Sequence, residues 1–174
     1  LADLLTIKEK FGQLEGLKLA FFGNGKDNVA HSLLIAATKM GINISIACPK
    51  GYEPNPKVLS LARREAKVSG ATIMITDKPQ EAAKNADVLY TDVFVSMGQE
   101  KQRKKRLSIL KKYEVTESLF ALANKRAVFM HCLPAHRGEE VAAKVIDGPR
   151  SVVFDQAENR LHAQKALIVF LNRR

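Results

Sequence analysis

The sequence predicts an α/β fold: a three-layer α/β/α sandwich around a mostly parallel, Rossmann-like sheet. Short apolar runs alternate along the chain with stretches in which apolar residues recur at helical spacing. Strands separated by helices pair in parallel through right-handed crossovers. No internal repeat or low-complexity tract interrupts the pattern, and 174 residues suffice for one domain with a substantial core.

The first half of the chain supplies three predicted strands and three predicted helices. Apolar and β-branched runs predict strands over 17–22, 42–47 and 71–76. Helical spacing predicts helices over 1–11 and 29–40, and a third after the turn-rich segment 49–56. Gly41 and Gly70 end the second and third of these. No strand precedes the helix over 1–11, so we expect it to belong to a junction with another domain.

The second half continues the alternation. Asp77, Lys78 and Pro79 open a short helix, and Thr116 is expected to cap a later one. The remaining predicted elements are strands over 87–91, 127–130 and 151–154, a helix over 138–145, and a terminal helix over 155–171.

Composition excludes several classes of protein. No apolar run reaches the ~20 residues of a membrane-spanning helix, and the first residues do not form a signal peptide. Two cysteines are too few for a disulfide scaffold and suit a reducing compartment, so we expect a cytoplasmic protein without a membrane partner.

The net charge of +10 could attract a polyanion. Much of the excess lies in the run 101–106 and in Lys111 and Lys112. No aromatic residues alternate with these cations, as they would in a stacking surface for nucleic acid. Leu107 and Leu110 follow at helical spacing, which favours a solvated helix face, or a docking surface for an acidic partner, over a nucleic-acid site.

Polar clusters follow three of the predicted strands, at 23–28, 92–98 and 131–138. Ligands of open parallel sheets bind beyond the carboxyl ends of the strands. The coincidence therefore predicts one composite site at this edge of the sheet.

The cluster at 23–28 does not fit a dinucleotide loop. Gly23 and Gly25 are followed by Asp27 and Asn28, with no third glycine, and two acceptor side chains would repel a pyrophosphate. Asn28 is either a helix N-cap or an amide that binds an amino-acid head group.

The cluster at 92–98 begins with Asp92, which is either a cap or a carboxylate for an ammonium group. Ser96 and the Met97 amide add hydrogen-bonding groups. Gly98 would let the loop approach a ligand closely.

The segment 131–140 concentrates reactive groups, with Cys132 between His131 and His136. We assign Cys48 to the core and Cys132 to a site, because Cys132 lies at a strand end. A metal site of Cys132 and His136 lacks a second pair of ligands. A cysteine hydrolase would need a base and an orienting residue that the sequence does not place.

The terminal helix carries Arg160 about one turn from its start, and Arg137 is a second arginine near Cys132. Arg160 is either paired or solvated on the helix surface, or it binds phosphate, which a guanidinium group matches well.

Four segments together resemble ornithine carbamoyltransferase, in order along essentially the whole chain. They are Asn28–Ser32, Asp92–Gly98, His131–Pro134 and Phe154–Arg160. The Ser-Met-Gly sequence at 96–98 and the His-Cys-Leu-Pro sequence at 131–134 are specific to the ornithine branch and are not shared with the aspartate branch.

The resemblance implies carbamoyl transfer from carbamoyl phosphate to the δ-amine of L-ornithine, giving citrulline and phosphate, with neither a metal nor an organic cofactor. It implies that ornithine is held by Asn28, Asp92, Ser96 and the Met97 amide. Asp92 and Cys132 would lie near the reacting amine.

Carbamoyl phosphate would be contacted by Cys132, the Leu133 carbonyl and Arg160, by the same resemblance. The family's carbamoyl-phosphate motifs, Ser-x-Thr-Arg-Thr and His-Pro-x-Gln, do not occur in this sequence. We therefore expect 1–174 to be the ornithine-binding domain alone, essentially inactive without its partner domain. For the whole enzyme the resemblance implies a homotrimer.

Two other functions stay open from the residues. A putrescine carbamoyltransferase would share the chemistry, but its substrate lacks the α-carboxylate that Ser96 and Met97 would bind. The second open function is a module that binds ornithine or a protein partner without turnover.

Overall fold

Five parallel strands form one sheet in the order β3-β2-β1-β4-β5. The computed structural model describes residues 1–95, Gly98 and 100–173, apart from the side chain of Glu100. In this part of the chain the strands are β1 (Lys18–Phe22), β2 (Asn43–Ala47), β3 (Ile73–Thr76), β4 (Val88–Thr91) and β5 (Val128–His131). The predicted α/β class with a parallel sheet is confirmed.

Helices connect the strands and flank the sheet. Their bounds are α1 (Ala2–Phe11), α2 (Asn28–Lys39), α3 (Pro56–Ser69), α4 (Pro79–Ala83), α5 (Arg103–Leu110), α6 (Glu117–Phe120), α7 (Ala143–Ile146) and α8 (Val153–Leu171). The local sequence explains their ends. Pro56 stands in the first turn of α3, Gly70 closes that helix with φ +80°, and Thr116 caps α6 by accepting a hydrogen bond from the Leu119 amide.

Both faces of the sheet are covered, so the strands are apolar at consecutive positions. Phe21 and Tyr90 pack in one core cluster, and their chain neighbours Phe22 and Leu89 pack in the other. Successive side chains of a strand point to opposite faces. The two clusters are therefore the two interlayer cores of a three-layer sandwich.

The sixth strand predicted over 151–154 is wrong. Ser151 makes an isolated bridge to Phe129, and α8 begins at Val153 instead of Asp155. Val152 and Val153 are buried because the entry to α8 packs into the core. The β-branched residues of this run are therefore buried, but they do not form a regular strand.

The helix predicted over 138–145 is also wrong at its start. The Gly138 amide donates to the Val141 carbonyl in a turn, and the Val115 amide and carbonyl pair with Glu140 and Ala142. These backbone bonds replace helical ones, so α7 starts only at Ala143.

The terminal helix α8 is fastened to α1 by buried polar contacts. The amide of Asn159 donates to Thr6 Oγ1 at 3.0 Å and to Glu9 Oε2 at 2.7 Å. Lys10 and Asp155 form an ion pair at the edge of the same contact. The predicted helix at the start of the chain thus packs on this fold, and its origin in a domain junction stays a prediction.

No helix in the described part of the chain combines the length and the apolar character needed to cross a bilayer.

We expect Asn159→Ala to lower the free energy of unfolding by about 1–3 kcal/mol, because it deprives the buried Thr6 hydroxyl of a donor and removes the hydrogen bond to the exposed Glu9 carboxylate. Asn172→Ala is the matched control, since Asn172 lies exposed at the end of the same helix and bonds only to a local carbonyl. Urea unfolding measures both changes. Equal stability of the two variants would contradict the role of the α1–α8 contact.

Candidate active site

Asp92 and Cys132 lie side by side because of strand register. The parallel pairing of β4 with β5 sets Thr91 opposite His131, so the next residue of each strand leaves the sheet at the same point. The Cys132 thiol donates to Asp92 Oδ1 at 3.0 Å. The two residues predicted to lie near the reaction are therefore in contact.

The Asp92–Cys132 pair keeps the thiol protonated. Partial burial of the sulfur and the adjacent Asp92 carboxylate raise the pKa of Cys132 well above that of a free cysteine, although part of the residue reaches the surface. The Asp92 carboxylate is nearly buried and also accepts the Val93 amide at 2.7 Å. A protonated thiol is a hydrogen-bond donor and a poor nucleophile, which argues against a cysteine hydrolase.

A cleft of about 430 Å³ opens beside Cys132, between the starts of α1 and α2 and one side of α8. Its walls include Asn28 from α2 and Arg160 from α8, together with His131. Three chemically active segments predicted at strand and helix ends thus meet here. Asp92 does not line the cleft but lies behind Cys132, in contact with its sulfur.

Asn28 is the first residue of α2, and Asp27 precedes it as the N-cap residue. The N-cap alternative for Asn28 is therefore wrong. Its side chain is exposed and lines the cleft, as a ligand-binding amide would. Burial and, to a smaller extent, the charge of Asp92 raise the pKa of Asp27 to about 6, against the opposing effect of Arg106.

The two arginines considered beside Cys132 behave differently. Arg160 is exposed on α8 and lines the cleft. Arg137 instead forms two hydrogen bonds to Asp147, at 2.8 and 2.6 Å, on the outer surface. Arg160 is thus the one of the pair placed to meet an anionic ligand in the cleft.

The turn after β5 has an unusual backbone at Leu133, whose φ is +55°. The Leu133 amide donates to Nδ1 of the His131 ring at 2.8 Å. Its side chain is half-buried and packs against the core, outside the residues that line the cleft. The contact of its carbonyl with a substrate stays a prediction.

A polar network under the cleft was missed from sequence. The Gln156 side chain accepts the His131 amide at 3.0 Å and donates to Tyr90 Oη at 2.9 Å and Asp3 Oδ1 at 2.7 Å. Burial raises the pKa of both Tyr90 and Asp3. The position of Gln156, in the first turn of α8 beside buried Val153, was the available signal.

The prediction of a solvated helix face for the basic run is wrong at Arg106. Residues 101–105 are exposed, but Arg106 is buried, donates from Nε to the Phe94 carbonyl at 2.9 Å, and lies over the Tyr52 ring at 5.9 Å. Its spacing of four residues from buried Leu110 on α5 was the available signal. Arg106 thereby fastens the segment that follows Asp92.

Within the described residues, one group of side chains could share a metal ion: His136, Glu139 and Glu140. Cys132 is not in it, so the weak pair of Cys132 and His136 gains no support. Glu139 is already paired with Arg103, a guanidinium that would repel a cation.

Ser96 and Met97 lie outside the described residues. Gly98, at the end of the same predicted loop, is exposed with φ +84°.

Comparison with known proteins identifies relatives of this chain. The family model of the aspartate/ornithine carbamoyltransferase Asp/Orn binding domain matches residues 15–171. The ornithine carbamoyltransferase of Bacillus subtilis is 55% identical over 168 residues, which are 97% of this chain and 52% of that protein. That of Caldicellulosiruptor saccharolyticus is 53% identical over 98% of this chain and 55% of its own length. The chain thus spans about half the length of the curated relatives it matches.

Solved structures give the same picture. The ornithine carbamoyltransferase of Pyrococcus furiosus superposes with a TM-score of 0.92 and 51% identity, over 96% of this chain and 53% of that one. An N-acetyl-L-ornithine transcarbamylase superposes with a TM-score of 0.82 and 31% identity, over 96% of this chain and 53% of its own.

We expect Asp92→Asn to speed alkylation of Cys132 near neutral pH. Removing the carboxylate removes a charge that raises the pKa of the thiol, so more thiolate forms at a given pH. Iodoacetamide labelling followed by peptide mass spectrometry measures the rate, with buried Cys48 as the internal reference. An unchanged pH profile would show that the two groups do not interact.

Proposed function

Since this chain belongs to the aspartate/ornithine carbamoyltransferase family and matches its Asp/Orn binding domain, we propose that it is the ornithine-binding half of an ornithine carbamoyltransferase. One observation carries the proposal: Asn28, Cys132 and Arg160 meet at one cleft, with Asp92 against Cys132. The reaction is transfer of the carbamoyl group from carbamoyl phosphate to ornithine.

The proposed roles follow from the chemistry of these groups. The Asn28 amide can donate to the α-carboxylate of ornithine. Asp92 offers a carboxylate for an ammonium group. The Cys132 thiol has a single proton, which it donates to Asp92 in the free chain. Once an ammonium group occupies Asp92, the thiol can donate that proton to a developing oxyanion without attacking the substrate. Arg160 presents a guanidinium fork to the phosphate of carbamoyl phosphate.

The reaction balances without a cofactor. The lone pair of the neutral δ-amine attacks the carbamoyl carbon, and a tetrahedral intermediate forms. Its collapse breaks the bond to the phosphate oxygen and releases phosphate. The amine nitrogen passes its proton to the departing phosphate, and citrulline results.

The phosphate-binding half of the enzyme is not encoded in these residues. The Ser-x-Thr-Arg-Thr and His-Pro-x-Gln motifs do not occur, so most donors to the phosphate would come from elsewhere. Loss of a single oxyanion donor costs about 10²–10³ in rate. We therefore propose that this chain alone turns over negligibly.

Exposed apolar side chains at the end of α8 are evidence that another domain packs on this chain. A run of its apolar side chains is exposed: Leu167, Ile168, Val169, Phe170 and Leu171. Contiguous exposed apolar surface commonly marks an interaction site. We propose that the carbamoyl-phosphate domain covers this apolar surface.

We also propose that the whole enzyme is a homotrimer. Its compartment would be the reducing cytoplasm.

The identities of the matching relatives bear on which amine is the substrate. The ornithine carbamoyltransferases that match this chain range from 33% identity for that of Giardia lamblia to 55% for that of Bacillus subtilis, and the N-acetyl-L-ornithine enzyme matches at 31%. This favours free ornithine over its acetylated form. Putrescine and binding without turnover stay the alternatives, and the following two experiments separate them.

Joining this chain to the first half of the Bacillus subtilis relative should restore citrulline formation, because the borrowed half supplies the phosphate donors. Asp92→Asn in that fusion should lower turnover by at least about 10²-fold. Colorimetric assays of the ureido group formed from ornithine, N-acetylornithine or putrescine measure turnover and substrate choice. Faster carbamoylation of putrescine than of ornithine would overturn the substrate assignment.

Calorimetry on the unfused chain tests binding. We expect L-ornithine to bind and putrescine, which lacks the α-carboxylate, to bind at least about tenfold more weakly. Asn28→Ala should weaken ornithine binding by about 10–100-fold, as loss of a hydrogen bond to a charged group does. Asn172→Ala, far along α8, should leave it unchanged. Equal affinities of the two variants would remove Asn28 from the site.

A further inference from the structure

Glu140 is a buried carboxylate beside the site that the proposed reaction does not use. Its side chain is 0% exposed. Oε1 accepts the His136 amide at 2.5 Å and lies 3.4 Å from Nε2 of His131, which is also fully buried. Among the described residues, neither Glu140 Oε2 nor His131 Nε2 has a hydrogen-bond partner.

The tautomer of His131 follows from its other nitrogen. Nδ1 accepts the Leu133 amide, so Nδ1 carries a lone pair. In a neutral ring the proton is then on Nε2, the atom that faces Glu140 Oε1. Burying a carboxylate is costly, and this N–H, 3.4 Å from Oε1, adds an attractive contact to the hydrogen bond that Oε1 accepts from the His136 amide.

Glu140 therefore contacts both ends of one turn: the His131 ring at the start and the His136 amide at the end. Between them lie Cys132 and Leu133. A positive φ at a residue such as Leu133 is strained and persists only where the surroundings hold it. The His131 ring supplies one such restraint directly, through the Leu133 amide.

We propose that Glu140 is a positioning residue, which acts through His131 to fix the Leu133 backbone and to hold Cys132 against Asp92. Its effect on catalysis rests on the proposed function. Its effect on the geometry of Cys132 does not rest on the proposed function. The positioning role and the proposed function can therefore fail separately.

A metal ion on Glu140 explains these contacts less well. The group that could share a metal ion contains His136 and not His131, so a metal there would leave the contact between Glu140 and His131 unexplained. The neighbouring Glu139 already has Arg103 as its counter-charge. The contact of Glu140 with Nε2 of His131 and the hydrogen bond from the Leu133 amide to Nδ1 use each group as the structure presents it.

The first test measures the pH profile of Cys132 alkylation in the unfused chain. Burial raises the pKa of Cys132 most, followed by the carboxylates of Asp92 and Asp3, and the charge of Glu140 is not among the causes. A shift in a Glu140 variant would therefore report movement of the thiol and not loss of a nearby charge.

Glu140→Ala should move the midpoint of alkylation down by at least about 1 pH unit, toward an ordinary thiol. Glu140→Gln keeps an acceptor oxygen and should rescue the wild-type profile. Glu139→Ala is the matched control and should also behave as wild type. A wild-type profile in Glu140→Ala, at a temperature where circular dichroism finds it folded, overturns the proposal.

A second measurement needs no variant, so it tests the proposal even if Glu140→Ala does not fold. Nitrogen-15 NMR of the wild-type imidazoles should place the His131 proton on Nε2. A proton on Nδ1 would break the chain at its first step and overturn the proposal.

In the fused enzyme, Glu140→Ala should lower kcat by about 10²-fold, the effect expected of an active-site displacement near 1 Å. KM for ornithine should change much less, because Glu140 does not touch the cleft. Glu140→Gln should recover most of kcat. A rise in KM with kcat intact would assign Glu140 to binding and overturn the positioning role.

Discussion

The parallel register of β4 against β5 is the constraint on which the site depends. Thr91 faces His131 across these strands, so Asp92 and Cys132 emerge together where the sheet ends. Side chains alternate along a strand, and a slip of one residue would send one of the pair to the opposite face. The apolar residues just before them, such as Tyr90 and Met130, are fully buried, and this burial prevents the slip.

The same packing sets the character of the thiol. Cys132 sits beside a carboxylate that is itself nearly buried, so its sulfur stays protonated and acts as a donor. Gln156 then joins the start of the turn to α1, α8 and β4 through His131, Asp3 and Tyr90. A turn held by rigid elements is a common arrangement for a functional site, because loops carry function and the scaffold fixes their geometry.

Sequence patterns predicted the strands and helices reliably, and they predicted the burial of individual side chains less well. The five strands and most helices follow from apolar runs and from glycine, proline and threonine signals. The run 151–154 failed because Val152 and Val153 have the same pattern in a buried strand and in a buried first turn of a helix. Spacing alone placed three polar clusters at one edge, and the family resemblance assigned Asn28, Asp92, Cys132 and Arg160 their roles.

Burial of individual polar residues was not predictable in the same way. Arg106 belongs to a basic run, and only its contacts with Phe94 and Tyr52 withdraw it from solvent. Glu140 resembles its neighbour Glu139 in sequence, yet one is fully buried and the other pairs with Arg103. Such differences arise from tertiary contacts between distant segments, which local composition does not encode.

The most direct test of the central claim is a crystal structure of the chain soaked with L-ornithine. We predict electron density for the amino acid in the cleft beside Cys132, with its head group near Asn28 and one amine toward Asp92. Ornithine bound elsewhere, or a structure in which Asn28 and Cys132 face different regions of solvent, would contradict the account.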